Sequence, residues 1–393
     1  MRRGCFAHDN GMDTILTEQG VYHIFYAENG ALTEDAHTCF RRAAACGAPL
    51  IYADEEAHLP DGRKKRVTKP DWSPDTLRSC NYIGSPFAAS RALCESAGMP
   101  HANTAAERYA FLLRMAEQGA AAQRIARVLY RGAAEPPCTD TLILREALRK
   151  QNCPALVTQG QVEGSFCVRY PIPHGTRVSC IVIGAEDVNA IRATLEAIVC
   201  RTTYPNVELI VCDGGGIQER KEAYYAALTS YGAAKMIRVY NERNEPKLIN
   251  MAAEEATGET LLFLPAGVEP ALHDTIERML EYALLSHIGA VGGITNKHGR
   301  PQPGIIHNAS VIDGAMMTRA DYFIAQAGFD VTFERVGYMR AFTQLSACMG
   351  RYNVITPYAV FSNAAQPRPP KPTKKNRLRI QDLNFSSSKN SDD

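Results

Sequence analysis

The sequence lacks several features that would place the chain in a simple class. It has a single tryptophan, Trp72, and a net charge of only +1 over 393 residues, so nothing in its overall charge favours a nucleic-acid partner. No apolar run approaches the roughly 18 residues of a membrane-spanning helix, and the polar residues after Met1 do not resemble a secretory signal. None of the 12 cysteines forms a Cys-x-x-Cys pair, which argues against a zinc or thioredoxin-like site. We therefore expect a cytoplasmic protein with reduced cysteines, no transmembrane segment and no nucleic-acid partner.

What is present is the ordinary balance of a globular protein, with 45% hydrophobic and 22% charged residues. Two apolar strand-like runs, 178–183 and 207–212, flank a helix-like segment over 190–200, which is typical of a parallel βαβ unit. Further strands are predicted at 22–26, 50–53, 260–264 and 288–294, and further helices at 33–45, 105–118, 139–151 and 273–286. The sequence thus predicts an α/β fold.

Prolines and a glycine at 170–175 mark a boundary. A weak internal repeat relates 19–29 to 257–267, because in both a polar or glycine turn leads into a buried strand and a short loop. We predict a truncated first copy of the fold that lacks its nucleotide-binding front half, and a more complete second copy. The predicted segments are a truncated domain at 1–150, a linker at 151–175, a second domain at 176–362 and a disordered Pro/Lys/Ser tail at 363–393.

At this point the sequence resembles the family 2 glycosyltransferases, in particular the tandem-domain enzymes that build surface polysaccharides. The resemblance covers nearly the whole chain except the tail, and the order and spacing of its motifs are more specific than any single motif. The segments that carry it are 178–183, 202–213, 288–293, 305–309 and 356–360, with 52–56, 69–77 and 81–84 in the first copy. It implies the GT-A fold, a Rossmann-like, mostly parallel sheet flanked by helices. It also implies hexosyl transfer from a nucleotide sugar to a glycan acceptor, in synthesis of the O-antigen or capsule type.

The resemblance places the nucleotide at the ends of the first two strands of the second copy. Asp213 stands where the family has the acid that ends its second strand, and Gly214 follows it. Glu186 and Asp187 follow the first strand. Ligands of open α/β sheets bind outside such strand ends, so these four residues are the nucleotide-binding candidates. The alternative is that their carboxylates are ordinary solvated loop charges.

The metal site of the family is degenerate here. Nucleotide-sugar transfer in the family uses Mn²⁺ or Mg²⁺, and hard cations need several oxygen ligands. After the strand at 260–264 stand Pro265, Ala266 and Gly267, which offer no side-chain ligand, so Glu269 is the nearest acid. In the first copy, only Glu28 and Asn29 could contact a metal. Glu269, Glu28 and Asn29 are therefore doubtful metal ligands.

The general base of the family is also missing from its usual helix. Glu334 in the second copy and Glu107 in the first are the nearest substitutes, and without a base proton transfer slows by roughly 10²- to 10⁴-fold. Trp72 and Asp71 are candidates for contact with the acceptor or sugar, although a packing role is the commoner one for a tryptophan. The acidic run 54–56 could bind a metal, but we interpret it as structural.

Three hypotheses follow from these residues. The chain could transfer sugar with Glu28 or Glu334 as substitute acids, or it could be a pseudoenzyme that binds a nucleotide, a glycan or a partner transferase. It could also be a structural module that binds no nucleotide. The basic tail allows peripheral association with the inner face of the cytoplasmic membrane.

Overall fold

The structure is a computed structural model that describes residues 11–184, 186–295, 305–309 and 311–363. The chain divides into two compact units, Met1–Arg169 and Tyr170–Asp393, named here unit 1 and unit 2. The division falls inside the predicted linker at 151–175, and this segment also contains a pair of antiparallel strands. The predicted tail at 363–393 lies outside the described residues, except for residue 363.

Unit 1 has a mixed sheet with helices packed on it. The strands of the sheet lie in the order β1-β2-β6-β4-β7-β3, with β5 beside β4, and among these described strands only β4 and β7 pair in parallel. Its core includes Ile24, Phe40, Ile51 and Leu129, from two strands, a helix and the last long strand. The elements are β1 (Met12–Thr17), β2 (Gly20–Phe25), β3 (Gly30–Leu32), α1 (Ala36–Ala44), β4 (Leu50–His58), β5 (Lys64–Val67), α2 (Pro74–Ser79), β6 (Phe87–Ser90), α3 (Arg91–Ala97), α4 (Ala105–Glu117), β7 (Ala122–Ala133), α5 (Thr141–Lys150), β8 (Leu156–Gln159) and β9 (Phe166–Arg169).

Unit 2 has the larger sheet, in the strand order β12-β11-β10-β13-β17-β15-β18-β14 with β16 beside β18. Its elements are β10 (Val178–Ile183), α6 (Val188–Arg201), β11 (Val207–Asp213), α7 (Glu219–Ser230), β12 (Lys235–Arg238), α8 (Glu245–Glu254), β13 (Thr260–Pro265), β14 (Val268–Pro270), α9 (Thr275–Ala283), β15 (Ile288–Thr295), β16 (His307–Asn308), β17 (Met316–Arg319), α10 (Ala320–Ala325), α11 (Tyr338–Cys348) and β18 (Tyr352–Asn363).

The α/β class predicted from the sequence is confirmed, but the sheets are mixed rather than mostly parallel. In unit 2, β12, β11, β10 and β13 form a parallel block. Every residue of β10 is buried, as expected for a parallel strand covered by helices on both faces. The parallel order is interrupted because β17 enters antiparallel between β13 and β15.

The two units share one order of elements. In unit 1 the strands β2-β6-β4-β7-β3 pair antiparallel, antiparallel, parallel and antiparallel. In unit 2 the strands β13-β17-β15-β18-β14 pair in the same directions. The block β10-β11-β12 of unit 2 has no counterpart among the described strands of unit 1, where β1 occupies the corresponding side of the sheet.

Two further properties concern the helices and the cysteines of the described residues. No helix in these ranges is both long and apolar enough to cross a membrane. The cysteines that the structure describes are free thiols, and four of them, Cys94, Cys167, Cys180 and Cys212, are buried.

Candidate functional site

A cavity of about 720 Å³ lies at the carboxyl ends of β10 and β11 in unit 2. These parallel strands are in register from Val178↔Val207 to Ile183↔Cys212, so their ends meet at one edge of the sheet. The cavity wall also includes the segment that leads into α8 and the segment before α11. Four residues predicted from the sequence line it together: Glu186, Asp213, Gly214 and Glu334.

Asp213 is held by its own unit and has little exposed surface. Its side chain lies 3.1 Å from Lys221 Nζ and accepts a hydrogen bond of 3.0 Å from the Tyr225 hydroxyl. The backbone N–H of Gly215 donates to its other oxygen at 2.9 Å. Burial, followed by the charge of Asp213, raises the pKa of Tyr225 and keeps this hydroxyl a donor. Asp213 therefore fixes the conformation of the glycine turn, and only 3% of its own surface is exposed.

Gly214 allows two segments of the wall to meet. A Cβ atom at this position would lie 2.1 Å from the Glu242 carbonyl oxygen and 2.7 Å from Leu248 Cδ1, which no side chain can accommodate. At Gly216, by contrast, an added Cβ would meet only Asn241 Oδ1, at 3.5 Å. The turn thus seals the cavity at Gly214 and leaves open space at Gly216.

The two acids after β10 have different environments. Glu186 is exposed and lines the cavity. Asp187 is the N-cap of α6, where its carboxylate accepts from the backbone N–H of Asn189 at 2.9 Å. A cap satisfies one of the unpaired N–H groups at a helix start, so the structure gives Asp187 a local structural role.

The two candidate bases lie in different units. Glu334 is exposed on the wall of the unit 2 cavity, and its carbonyl oxygen accepts from the backbone N–H of Glu245 at 2.8 Å. Glu107 belongs to unit 1, in the first turn of α4, and its backbone N–H donates to the capping hydroxyl of Thr104. The structure therefore places Glu334, and not Glu107, with the nucleotide-binding candidates.

The candidate metal ligands are not brought together. Glu269 forms a 2.8 Å ion pair with Arg201. Glu28 lines a cavity of about 530 Å³ in unit 1, while Asn29 accepts from the Tyr130 hydroxyl at 3.0 Å. No group of three acidic, histidine or cysteine side chains within the described ranges is placed to hold a metal ion. Pro265, Ala266 and Gly267, where β13 ends, have no side-chain oxygen or nitrogen that could bind a cation, so these residues do not fit the metal site that the resemblance implies.

The candidate sugar contacts lie in unit 1. Trp72 is half-buried in the loop before α2. The side chain of Asp71 is 88% exposed and lies 3.7 Å from Arg124. In the acidic run 54–56, Asp54 has a structural role. It is fully buried and accepts hydrogen bonds from the Lys69 backbone N–H and from Arg66 and Arg124.

The cavity of unit 2 contains an acid that the sequence analysis missed. Glu245, the first residue of α8, is half-buried on the cavity wall, and its Oε2 atom lies 3.4 Å from the Tyr338 hydroxyl. Burial raises the pKa of Glu245 to about 7, against the opposing effects of Arg335 and Tyr338. Arg243 and Arg335 line the same cavity. The sequence signal at Glu245 was obscured, because Asn244-Glu245-Pro246 is an ordinary helix start.

No protein-family profile matches the chain. Two curated proteins do. The O-antigen biosynthesis protein RfbC of Myxococcus xanthus is 27% identical over 260 residues, and the uncharacterized protein y4gI of Sinorhizobium fredii is 29% identical over 266 residues. Each alignment covers 62% of this chain, but only 20% and 29% of those proteins. The chain therefore spans less than a third of the length of the curated relatives that it matches.

Three solved structures illustrate the similarity of this chain to known folds, each with a TM-score below 0.5. GalNAc-T7 with UDP, GalNAc and Mn²⁺ has a TM-score of 0.48 at 12% identity, covering 63% of this chain and 58% of that one. The mannosyltransferase PcManGT of Pyrobaculum calidifontis, in complex with GDP-Man and Mn²⁺, has a TM-score of 0.44 at 18% identity, covering 71% and 74%. S. aureus TarS has a TM-score of 0.42 at 15% identity, covering 53% and 38%.

Proposed function

We propose that unit 2 binds a nucleotide-activated sugar in the cavity at the ends of β10 and β11, and that the chain functions as a glycosyltransferase of cell-surface polysaccharide synthesis. The observation that carries this proposal is the convergence of Glu186, Gly214 and Glu334 on one cavity at that sheet edge. Ligands of open α/β sheets bind in such a crevice. The similarity to an O-antigen biosynthesis protein supports the same assignment.

The cavity offers different surfaces to the parts of a nucleotide sugar. Ile183, Cys212 and Leu248 form an apolar floor on which a flat base can lie. Arg243 and Arg335 are exposed on the wall, and neither forms an ion pair with a described residue. Their guanidinium groups suit a diphosphate, because they donate two parallel hydrogen bonds to phosphate oxygens.

Proton transfer requires a carboxylate within reach of the acceptor hydroxyl. Glu334 is an exposed acid of the wall and is adjacent in sequence to Arg335, so we assign it as the base that takes this proton. We assign no step to a metal ion, since Pro265, Ala266 and Gly267 offer no side-chain ligand and Glu269 is paired with Arg201.

For unit 1 we propose a truncated copy of the unit 2 fold, supported by the shared strand order and pairing directions. The described residues of this unit, 11–169, contain no strands equivalent to β10 and β11, and therefore no crevice of the kind proposed for the nucleotide. We propose that this unit binds glycan, with Trp72 and Asp71 as the residues to test. A cytoplasmic location and peripheral membrane association remain predictions.

A non-catalytic module that partners an active transferase is the second candidate. It is favoured by the first turn of α11, where Tyr338, Met339 and Arg340 stand in place of the acids of the family. This candidate predicts nucleotide binding without sugar transfer, whereas a structural module predicts no nucleotide binding.

Calorimetric titration with UDP, GDP and dTDP, with and without Mn²⁺, tests the proposal. Gly216→Leu should fill the cavity without a backbone clash and abolish binding, because the space beside Gly216 is open. Ala233→Leu, which introduces the same side chain at an exposed position of unit 2, is the control and should bind as the wild type does. Binding that survives in Gly216→Leu would place the nucleotide elsewhere, and a wild type that binds no nucleotide would refute the proposal. Release of free nucleotide from a bound nucleotide sugar then separates a transferase from a non-catalytic module.

A further inference from the structure

One side chain of the cavity indicates which nucleobase the proposed nucleotide site selects. Glu245 projects from the first turn of α8, and its position is fixed from three sides. Asn244 caps the helix by accepting from the Lys247 backbone N–H at 2.9 Å. The Glu245 backbone N–H donates to the Glu334 carbonyl at 2.8 Å. The buried Tyr338 lies 3.4 Å from the carboxylate.

The carboxylate of Glu245 is available for a ligand. Two other acids of the wall are already paired, Asp213 with Lys221 at 3.1 Å and Glu242 with Lys247 at 2.8 Å. Within the described part of the chain, Glu245 forms no ion pair, and its side chain accepts only one hydrogen bond, the long one from Tyr338. A half-buried carboxylate with unused lone pairs is costly unless N–H or O–H donors approach it.

The surroundings of Glu245 suit the edge of a flat ring. Cys212, at the end of β11, is close enough for the Glu245 charge to raise the pKa of its thiol, after the larger effect of burial. Cys212 and Leu248 belong to the apolar floor, so the carboxylate stands at the margin of that floor.

We propose that Glu245 selects a guanine nucleotide, by accepting hydrogen bonds from the N1–H and N2–H₂ groups of a guanine that lies on the apolar floor. This inference rests on the proposed function. Guanine presents two neighbouring donors, which match the two oxygens of a carboxylate. Uracil and thymine present one N–H between two carbonyl oxygens, and those oxygens would be repelled by the same carboxylate.

Ionisation of Glu245 makes this selectivity depend on pH. Burial raises the pKa of this carboxyl to about 7, so the acceptor form predominates only above neutral pH. The charged or titratable groups around it are Arg335 and Tyr338 on the α11 side and Cys212 on the β11 side. The diphosphate also titrates near this range. Its ionisation changes the affinity for GDP and for UDP equally, so it does not change the ratio of the two affinities.

The test is calorimetric titration of the full chain with GDP and UDP at pH 8 and pH 6. At pH 8 we expect GDP to bind about 10- to 100-fold more tightly than UDP, the discrimination typical of one bidentate contact to a base. At pH 6 the preference should fall about tenfold, because only about a tenth of Glu245 is then ionised. In Glu245→Gln the preference should shrink to within about threefold and lose its pH dependence, since one acceptor is lost.

Glu254→Gln, at the exposed far end of α8, is the matched control and should keep the wild-type preference. Equal binding of GDP and UDP by the wild type would overturn the role of Glu245 while leaving the nucleotide site in place. A preference for GDP that persists in Glu245→Gln would do the same. A wild type that binds neither nucleotide would overturn both this inference and the proposed function.

Discussion

The raised pKa of Glu245 has a consequence for stability that can be measured without any ligand. A carboxyl whose pKa rises from 4.5 in the unfolded chain to about 7 in the fold is neutral in both states at low pH. As pH rises, the unfolded chain loses its proton first, so the fold is progressively destabilised between pH 4.5 and 7. Above pH 7 the loss is complete and constant. At about 1.4 kcal/mol for each tenfold change, the full effect is roughly 3 kcal/mol.

Glu245→Gln removes this loss, because glutamine is neutral at every pH. We expect the free energy of unfolding of unit 2 to rise by roughly 1 to 3 kcal/mol at pH 8, and to be unchanged at pH 4.5. Urea denaturation followed by circular dichroism at both pH values measures it. Glu254→Gln should change little at either pH, since surface substitutions usually stay within about 0.5 kcal/mol. A Glu245→Gln variant that is less stable than the wild type at pH 8 would refute the inference that burial penalises this carboxylate.

Two further predictions concern buried charges of unit 2. Lys221→Met leaves Asp213 buried without its ion pair and should destabilise the unit by about 3–5 kcal/mol. Lys247→Met, the control, removes a half-exposed partner of Glu242 and should cost at most about 1 kcal/mol. Equal losses of stability in thermal denaturation would contradict the role given to Asp213. The pKa of Glu208 falls to about 2 because hydrogen bonds from Lys235, Ser179 and Thr257 outweigh the effect of burial. Its stabilisation is therefore present above pH 4.5 and lost as pH falls towards 2. Glu208→Gln should lower the free energy of unfolding by about 2 kcal/mol at pH 7, after allowance for the half-exposed Lys235, and by much less at pH 2. A loss of stability that does not depend on pH would show that the ionised form of Glu208 does not stabilise the fold.

The apolar strands of unit 2 could be read from the sequence almost to the residue. The predicted runs 178–183 and 207–212 correspond to β10 and β11, because a strand buried on both faces is a continuous apolar run. The helix predicted at 190–200 is α6, lengthened at each end. The order of the strands was harder to predict from the sequence, because the antiparallel position of β17 between β13 and β15 depends on contacts between distant segments.

The site was predictable in part for a similar reason. Asp213, Gly214 and Glu186 could be placed because they lie at or just after the ends of two apolar strands, β11 and β10. The internal pairing of Asp213 was also within reach, because Lys221 and Tyr225 are four residues apart on α7 and share one face. Glu245 could not be found this way, since its contact with Tyr338 spans 93 residues and its burial comes from the folded cavity.

Hydrogen–deuterium exchange with and without saturating GDP tests whether unit 2 binds the nucleotide, since bound ligand slows exchange in the segments that it covers. We expect slower exchange in peptides that cover 213–218 and 241–248, with unit 1 unchanged. Slower exchange confined to residues 26–37, which line the cavity of unit 1, would contradict the assignment of the nucleotide to unit 2, as would no change anywhere in the chain.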